Sequence, residues 1–310
     1  MKRITDAFCR FCQGMTAGIG AILLVMSASA MMIYGEMFSK GHAVGMTQAM
    51  LLMMILISAG FVAAYRIFLK SGKRVAVILF AALVLLQIGF LMFVSHPMAI
   101  SDPARVQNEA LLMVQKQHGQ MNMQDMYFQR YPNNHFIVVL FYYYYKLLSF
   151  VGIHKVWGPT VALNLVSIDI GVYLSWLTAR RFKGISFANV LLGLFILCPT
   201  TYVWLTTVYT NTISFPFVMA ILYLCLRLHQ RRENTRGEYK LWMGLGAVMA
   251  VGYWVRPTTI IPIIAVSMYF VIRFIQGETK DSARVCLVKA GLLAGVFVCC
   301  FMGCFGLVGR

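Results

Sequence analysis

The sequence SHPMAISDPARVQNEALLMVQKQHGQMNMQDMYFQRYPNN, residues 95–134, is a long polar interruption in a chain that is otherwise apolar enough to lie in lipid. It contains three acidic residues, Asp102, Glu109 and Asp125. Loops held by a rigid scaffold are where binding and catalytic residues concentrate. The three carboxylates are therefore the first candidates for catalytic groups.

The rest of the chain has the composition of a membrane protein. Hydrophobic residues make up 60% of its 310 residues and charged residues only 12%, far from the balance of a soluble domain. The apolar runs are continuous rather than alternating, which favours membrane helices over a β-barrel. The sequence therefore predicts an all-α, polytopic transmembrane bundle in the lipid bilayer, with about 9–10 membrane helices and a long outer loop that bears interfacial helices.

Nine apolar runs are long enough to be predicted as spans, because a helix of about 20 residues crosses a ~30 Å hydrocarbon core. They are residues 14–34, 46–66, 75–95, 158–178, 185–205, 209–228, 241–256, 259–275 and 286–308. The runs divide the chain into three predicted parts. These parts are an N-terminal two-helix hairpin with cytoplasmic ends at 1–74, a membrane core at 75–275 that includes the outer loop 97–134, and a C-terminal span at 276–310.

The net charge of +17 is concentrated in short loops between the apolar runs. The basic groups are Lys2, Arg3 and Arg10; Arg66, Lys70, Lys73 and Arg74; Arg180, Arg181 and Lys183; Arg227, Arg231, Arg232, Arg236 and Lys240; and Arg273, Lys280 and Arg284. Short loops rich in Lys and Arg stay cytoplasmic. This predicts a multi-pass protein of the cell membrane, with a cytoplasmic N-terminus and an extracytoplasmic loop 97–134. A nucleic-acid partner is not expected, because it would need one folded basic face with base-reading groups.

The segment 135–152 decides how the chain returns from that loop. Between an outer Asn133 and an inner Arg180 the chain must cross the membrane an odd number of times, yet two apolar runs lie between them. The first run carries four consecutive tyrosines at 142–145, followed by a lysine. Because amphipathic aromatics and lysine favour the headgroup region, 135–152 is predicted as an interfacial or re-entrant helix rather than a full span.

The sequence indicates no metal site. Its six histidines are scattered along the chain rather than placed at the spacing of metal ligands. They are His42, His96, His118, His135, His154 and His229. A divalent metal is compatible with the loop acids but is not indicated, so the cofactor stays unknown.

Asp102 is the strongest candidate for a catalytic group. It stands in Ser101-Asp102-Pro103, just after the predicted span 75–95. An Asp followed by Pro at the first helical position commonly starts a helix, because the carboxylate caps free N–H groups. This predicts a helix at 103–117 with Asp102 as its cap. The capping role is compatible with a second one, since a carboxylate held rigidly at the membrane surface is well placed as a general base.

Four stretches of the chain carry a family resemblance. They are SDPARVQNEA at 101–110, YFQRYPNNH at 127–135, VYTNTISFPF at 208–217 and YWVRPTTIIPIIA at 253–265. Together they resemble a Gram-positive bacterial branch of the GT-C superfamily of polytopic glycosyltransferases, over roughly residues 75–275. That superfamily uses polyprenyl-phosphate-linked sugars outside the cytoplasmic membrane and has an essential Asp in a long first outer loop. Asn211 departs from the pattern, since members carry Asp there, and many relatives continue with further spans or an outer domain.

The resemblance implies a membrane glycosyltransferase, of hexosyl or pentosyl groups, that moves a sugar from a polyprenyl-phosphate donor to an extracytoplasmic acceptor. The acceptor would be a cell-wall polymer, a glycolipid or a protein. Asp102 would be the general base of an inverting single displacement, with Glu109, two helical turns further on, as the next candidate.

Further residues are expected to bind the substrates. Arg256 would hold the donor phosphate, because a guanidinium offers a bidentate match to phosphate oxygens. The alternative for Arg256 is a snorkelling anchor at the interface. Arg105 and Arg130 are weaker candidates for the phosphate. The remaining predicted substrate contacts are Tyr131, Asn133, Asn134 and Asn211.

Two other classes of function stay open. A transporter or flippase of lipid-linked sugars would have paired ionisable residues at mid-membrane, broken helices and repeated halves. Asp169, the lone acid within a predicted span, is the candidate for such an ionisable residue at mid-membrane. A non-catalytic membrane scaffold is the third class, and the loss of the acid at Asn211 favours it slightly.

Overall fold

The computed structural model describes residues 71–93, 101–115, 125–230, 236–277 and 282–308, together with a few positions between 59 and 68. Every regular element in these ranges is a helix, which confirms the predicted all-α class. The α-helices are α1 (Lys73–Phe93), α2 (Ser101–Gln115), α3 (Met126–Arg130), α4 (His135–Phe150), α5 (Trp157–Lys183), α6 (Ile185–Leu197), α7 (Thr200–Val203), α8 (Thr210–His229), α9 (Arg236–Val255), α10 (Ile260–Ile275) and α11 (Ala283–Val308). Two 3₁₀ turns are η1 (Pro132–Asn134) and η2 (Pro257–Thr259).

Five of the described helices are long and apolar enough to cross a membrane, as expected for a polytopic bundle. They are Lys73–Phe93, Trp157–Lys183, Thr210–His229, Pro257–Ile275 and Ala283–Gly306. Each matches a span predicted from the sequence. The predicted spans 14–34 and 46–66, and with them the predicted hairpin at 1–74, lie outside the described residues or nearly so.

The predicted span 185–205 is wrong as one continuous helix. Helix α6 ends at Leu197, Cys198 is extended with ψ 114°, and the short helix α7 begins at Thr200. Pro199 explains the break, because proline pushes the preceding residue out of the helical region and cannot donate a helical hydrogen bond. The predicted span 241–256 starts earlier than expected, at Arg236, so its first turn is polar.

Contacts between helix ends bring several basic segments to one end of the bundle, which we call the basic end. The Asn189 amide near the start of α6 donates to the Ser71 hydroxyl just before α1, at 2.8 Å. Trp176 Nε1, near the end of α5, donates to Asn189 Oδ1 at 3.1 Å. The Gln230 amide after α8 donates to the Arg181 carbonyl oxygen at 3.0 Å. The cations on these segments are Lys73, Arg74, Arg180, Arg181, Lys183 and Arg227.

The polar helices that follow α1 lie at the opposite end, which we call the loop end. The Gln107 amide on α2 donates to the Val208 carbonyl oxygen at 3.0 Å, and the Tyr209 hydroxyl donates to Asn134 Oδ1 in η1 at 3.2 Å. Val208 and Tyr209 directly precede α8, whose far end is the basic end. The two ends are therefore distinct in charge, and the Lys/Arg rule predicts that the loop end is extracytoplasmic.

Helix α4 keeps both of its halves at the loop end. At its start, the His135 ring donates to the Phe128 carbonyl oxygen of α3 at 3.0 Å. In its second half, the Tyr144 hydroxyl donates to the Pro159 carbonyl oxygen in the first turn of α5 at 2.8 Å. Since α5 starts at the loop end, this arrangement agrees with the prediction that 135–152 does not cross the bundle.

Helices α9 and α11 pack in parallel and very closely. Near the basic end, Lys289 Nζ lies 2.6 Å from Glu238 Oε1. At the loop end, Trp254 Nε1 donates to a carbonyl oxygen of α11 at 3.0 Å, and its ring lies 5.9 Å from that of Phe136 in α4. Gly246 allows this approach, because a Cβ there would lie 2.6 Å from a backbone oxygen of α11.

Apart from the end of α10, the elements above belong to one compact unit, residues 68–268 and 280–310. A second unit comprises residues 1–67 and 269–279. Its described part includes the end of α10, where the rings of Tyr269 and Phe270 meet edge to face at 5.2 Å.

Candidate functional site

The loop end has an apolar core of its own, which fixes the helices that carry the predicted site residues. Val106 and Ala110 of α2, Phe128 of α3, and Ile137 and Phe141 of α4 are at most 1% exposed. Burial of a Val, Ile or Phe side chain contributes roughly 1.5–3 kcal/mol. The polar side chains of the loop are therefore carried by helices that pack against a common apolar core.

Asp102 lies in the first turn of α2 and is half-buried. The helix starts at Ser101, so the prediction of a helix from residue 103 with Asp102 as its cap is corrected by two residues. An acidic side chain still suits this place, because it complements the helix dipole. No described cation forms an ion pair with the Asp102 carboxylate.

The residue before Asp102 has an unusual backbone. Ser101 has φ 56°, in the left-handed region that glycine favours. Such a conformation costs a non-glycine residue roughly 1–3 kcal/mol and persists where the surrounding structure imposes it, often at functional sites. The strain is located directly beside the candidate base.

A hydrogen-bonded network joins three elements next to Asp102. Asn134 of η1 is 2% exposed and is its centre. Asn134 Nδ2 donates to the Tyr127 hydroxyl of α3 at 2.8 Å. Asn134 Oδ1 accepts from the Tyr209 hydroxyl at 3.2 Å and from Asn133 Nδ2 at 3.1 Å. The network ties the loop to the start of α8.

Tyr127 is electrostatically linked to Asp102. Burial raises the pKa of the Tyr127 phenol far above its usual value, and the neighbouring Tyr209 hydroxyl and the Asp102 carboxylate raise it further. Tyr127 therefore stays protonated at any physiological pH. The Asp102 carboxylate thus lies near a phenol that stays neutral.

A cleft of about 440 Å³ opens beside this network. It is lined by Arg105, Asp125, Met126, Tyr127, Arg130 and Tyr131. Asp125 Oδ1 caps α3 by accepting from the Tyr127 backbone N–H at 2.8 Å, and Asp125 Oδ2 lies 3.7 Å from an Arg105 guanidinium nitrogen. The Arg130 guanidinium lies 5.8 Å from the centre of the Tyr131 ring. Two guanidinium groups and two tyrosines therefore line one cleft.

The lining of this cleft does not include Asp102 or Glu109, nor the predicted substrate residues Asn133, Asn134, Asn211 and Arg256. Two of these, Arg256 and Asn211, stand in other parts of the chain. Arg256 follows α9, and its Nε donates to the Thr258 hydroxyl at 2.8 Å. Asn211, in the first turn of α8, lines a separate and mostly apolar groove of about 260 Å³ with Trp204 and Phe215 among its walls. The described contacts thus join neither residue to Asp102, and Arg105 and Arg130 are the arginines that share the cleft with the loop network.

Two residues of the network are not among the site residues predicted from the sequence. These are Tyr127 and Tyr209, which stand inside the quoted stretches YFQRYPNNH and VYTNTISFPF. Glu109, the second predicted acid, lies two turns along α2 and is half-buried. No group of three His, Cys, Asp or Glu side chains converges as metal ligands in the described ranges.

One polar pair lies inside the apolar bundle. Gln87 of α1 is fully buried and lies close to Asp169 of α5. Both polar side-chain atoms of Gln87, and Asp169 Oδ1, are buried without a hydrogen bond of ordinary geometry to any described residue. A buried polar group without such a partner is costly, especially within a membrane. The Asp169 side chain therefore contributes a buried polar atom to the bundle interior, next to Gln87.

Comparison with known proteins gives one match. A family model described as a conserved hypothetical integral membrane protein matches residues 15–308 of the chain. No curated protein and no solved structure matches the chain at a significant level. The family match extends over nearly the whole sequence, and its description agrees with the five candidate membrane helices. The chain therefore belongs to this family of conserved hypothetical integral membrane proteins.

Proposed function

We propose that this protein is a membrane glycosyltransferase that transfers a sugar from a polyprenyl-phosphate donor to an extracytoplasmic acceptor. One observation carries the proposal. Asp102, a carboxylate without a described ion pair, stands beside the Tyr127–Asn134–Tyr209 network and a cleft lined by two arginines. The resemblance of four sequence stretches to the GT-C superfamily adds support.

The residues suit the roles that such a transfer requires. Asp102 accepts the proton of the acceptor hydroxyl as its oxygen bonds to the anomeric carbon. The bond from that carbon to the phosphate oxygen breaks, and polyprenyl phosphate leaves with the electron pair. Arg105 and Arg130 stabilise the growing negative charge on the phosphate, since guanidinium groups match phosphate oxygens well.

The amides and aromatic rings suit the neutral part of the donor. Asn133 is exposed beside the buried Asn134 and offers an amide to sugar hydroxyls. Tyr131, 39% exposed, and Tyr127 present rings along the cleft. Aromatic faces with a polar edge suit a ligand that is part sugar and part lipid.

The direct test is sugar transfer by the purified chain in lipid nanodiscs, with a panel of polyprenyl-phosphate sugars and a neutral glycolipid acceptor. We expect Asp102→Asn to lower the transfer rate about 10²–10⁴-fold, because a general base is lost. Arg105→Gln and Arg130→Gln should lower it less. An Asp102→Asn variant that is folded and nearly fully active would refute Asp102 as the base, and Glu109→Gln would then be examined.

A second candidate function, transport of a lipid-linked sugar, is favoured by the buried Gln87 and Asp169 near the middle of two membrane helices. The break between α6 and α7 is a further feature that transporters share. Flipping of a fluorescent polyprenyl-phosphate sugar in proteoliposomes distinguishes the two functions. Loss of flipping in Asp169→Asn, with flipping retained in Asp102→Asn, would favour transport.

A further inference from the structure

We propose that the seam between the ends of α5 and α8, at the basic end, binds the headgroup of an anionic phospholipid. The binding groups are Arg181 and Arg227, which share the ring of Tyr223. The ligand is a phosphodiester held at the membrane surface. This inference concerns the end of the bundle opposite to Asp102 and does not depend on the proposed glycosyl transfer.

The arrangement of the two arginines carries the proposal. The Arg181 guanidinium carbon lies 5.5 Å from the centre of the Tyr223 ring, and that of Arg227 lies 5.8 Å from the same centre. A cation held over an aromatic face is attracted electrostatically to the ring. The Tyr223 ring is thus shared by one arginine from each helix, and the two guanidinium groups flank one small region of the surface.

The seam itself is fixed by a hydrogen bond between the two helix ends. The Gln230 amide, directly after α8, donates to the Arg181 carbonyl oxygen of α5 at 3.0 Å. Farther from the basic end, α5 and α8 also pack closely, because a Cβ at Gly171 of α5 would overlap the ring of Phe215 of α8. The two helix ends that carry the arginines are therefore held together by the fold.

Among the residues that the structure describes at this end, cations outnumber acids. Of the acids that the structure describes, Asp102, Glu109 and Asp125 belong to the loop-end helices, Asp169 lies within α5, and Glu238 is near the basic end. Glu238 already pairs with Lys289 at 2.6 Å. The six cations on the segments of α1, α5 and α8 at the basic end form no ion pair with a described acid.

Arg227 makes the case for an anion more specific. Its side chain is half-buried, whereas Arg181 is exposed. A half-buried guanidinium is usually paired, because removing it partly from water is costly. Basic pockets between membrane helices on the cytoplasmic side are known to take anionic headgroups. A phospholipid anion supplies the missing charge where these helices leave the bilayer.

The test is retention of lipid by the purified protein, measured by native mass spectrometry in neutral detergent with added phosphatidylglycerol or phosphatidylcholine. We expect phosphatidylglycerol to bind more tightly, and salt to reduce the difference. Arg181→Gln and Arg227→Gln should each weaken phosphatidylglycerol binding about fivefold, since one basic group near the surface contributes about 1 kcal/mol.

Three further variants distinguish binding at this site from a general effect of positive charge. Tyr223→Phe keeps the ring, so binding should be unchanged, whereas Tyr223→Leu should weaken it. Lys146→Gln is the matched control, because Lys146 lies 5.5 Å from the Tyr142 ring at the loop end. Equal binding of both lipids, equal loss in Lys146→Gln, or binding of inorganic phosphate with the same sensitivity to Arg181→Gln and Arg227→Gln would each overturn the proposal.

Discussion

The two ends of the bundle handle polar groups in opposite ways. At the loop end, Asn134 joins Tyr127 and Tyr209 through neutral hydrogen bonds, and the nearby carboxylate of Asp102 has no described ion pair. Near the basic end, Glu238 and Lys289 neutralise each other in a buried ion pair, which stabilises the contact between α9 and α11. The ion pair near the basic end therefore holds two helices together, whereas the Asp102 carboxylate at the loop end takes no part in a described ion pair.

The largest effect is expected for the ion pair. Lys289→Met leaves Glu238, only 6% exposed, without its cation. Removing one partner of a buried pair typically costs about 3–5 kcal/mol of the free energy of unfolding. Denaturation of the protein in mild detergent, followed by circular dichroism, measures this loss. The double variant Lys289→Met with Glu238→Leu should recover most of it, and a single variant as stable as the wild type would contradict the assignment.

A smaller effect is expected for the network at the loop end. Asn134→Ala removes the amide that joins Tyr127 to Tyr209 and leaves partly buried hydroxyl groups unpaired. The expected cost is about 1–3 kcal/mol in the free energy of unfolding. Asn133→Ala is the matched control, because this neighbouring amide is exposed, and its cost should stay below about 0.5 kcal/mol. The reverse order of the two costs would show that Asn134 is not the centre of the network.

The exposed ion pair in the cleft should matter still less for stability. The side chains of Arg105 and Asp125 are 63% and 28% exposed, and the contact between them is long, at 3.7 Å. Exposed pairs of this kind contribute about 0–1 kcal/mol. A double-mutant cycle with Arg105→Gln and Asp125→Asn, measured at low and high salt, gives the coupling energy. A coupling above about 2 kcal/mol would mean that the two groups are not free to meet a ligand.

The smallest effect on stability is expected for Asp102 itself. Asp102→Asn keeps the size of a half-buried side chain that has no described ion pair. Its free energy of unfolding should change by less than about 0.5 kcal/mol, as for most surface substitutions. Paired with the transfer assay, this separates a group that acts on substrate from one that holds the fold. A large loss of stability would mean that Asp102, like Lys289, mainly stabilises the fold.

The class of fold was predicted well from the sequence, and the points at which helices end or break were predicted less well. Long apolar runs marked α1, α5, α8 and α11, because hydropathy reports directly on membrane helices. The break between α6 and α7 was missed although its cause, Pro199, is visible in the sequence. The apolarity of the whole run 185–205 outweighed the single proline in that prediction.

The candidate site was predictable only in part. Asp102, Tyr131 and Asn134 stood out because they lie in one polar stretch of an apolar chain. The bond between Asn134 and Tyr209 joins residues 75 positions apart, and no local periodicity reports such a contact. The expectation that Arg256 serves the same site rested on resemblance, and none of its described contacts reaches Asp102.

The bond between Asn134 and Tyr209 also has a consequence for biosynthesis. The two residues are 75 positions apart, so the ribosome must add that many residues after Asn134 before its partner exists. At roughly 5–20 residues per second, this takes about 4–15 seconds. During that interval α3 and η1 have been synthesised but lack the contact that ties them to α8. The nascent loop therefore depends first on its own apolar core, and the site is completed only when α8 begins to enter the membrane.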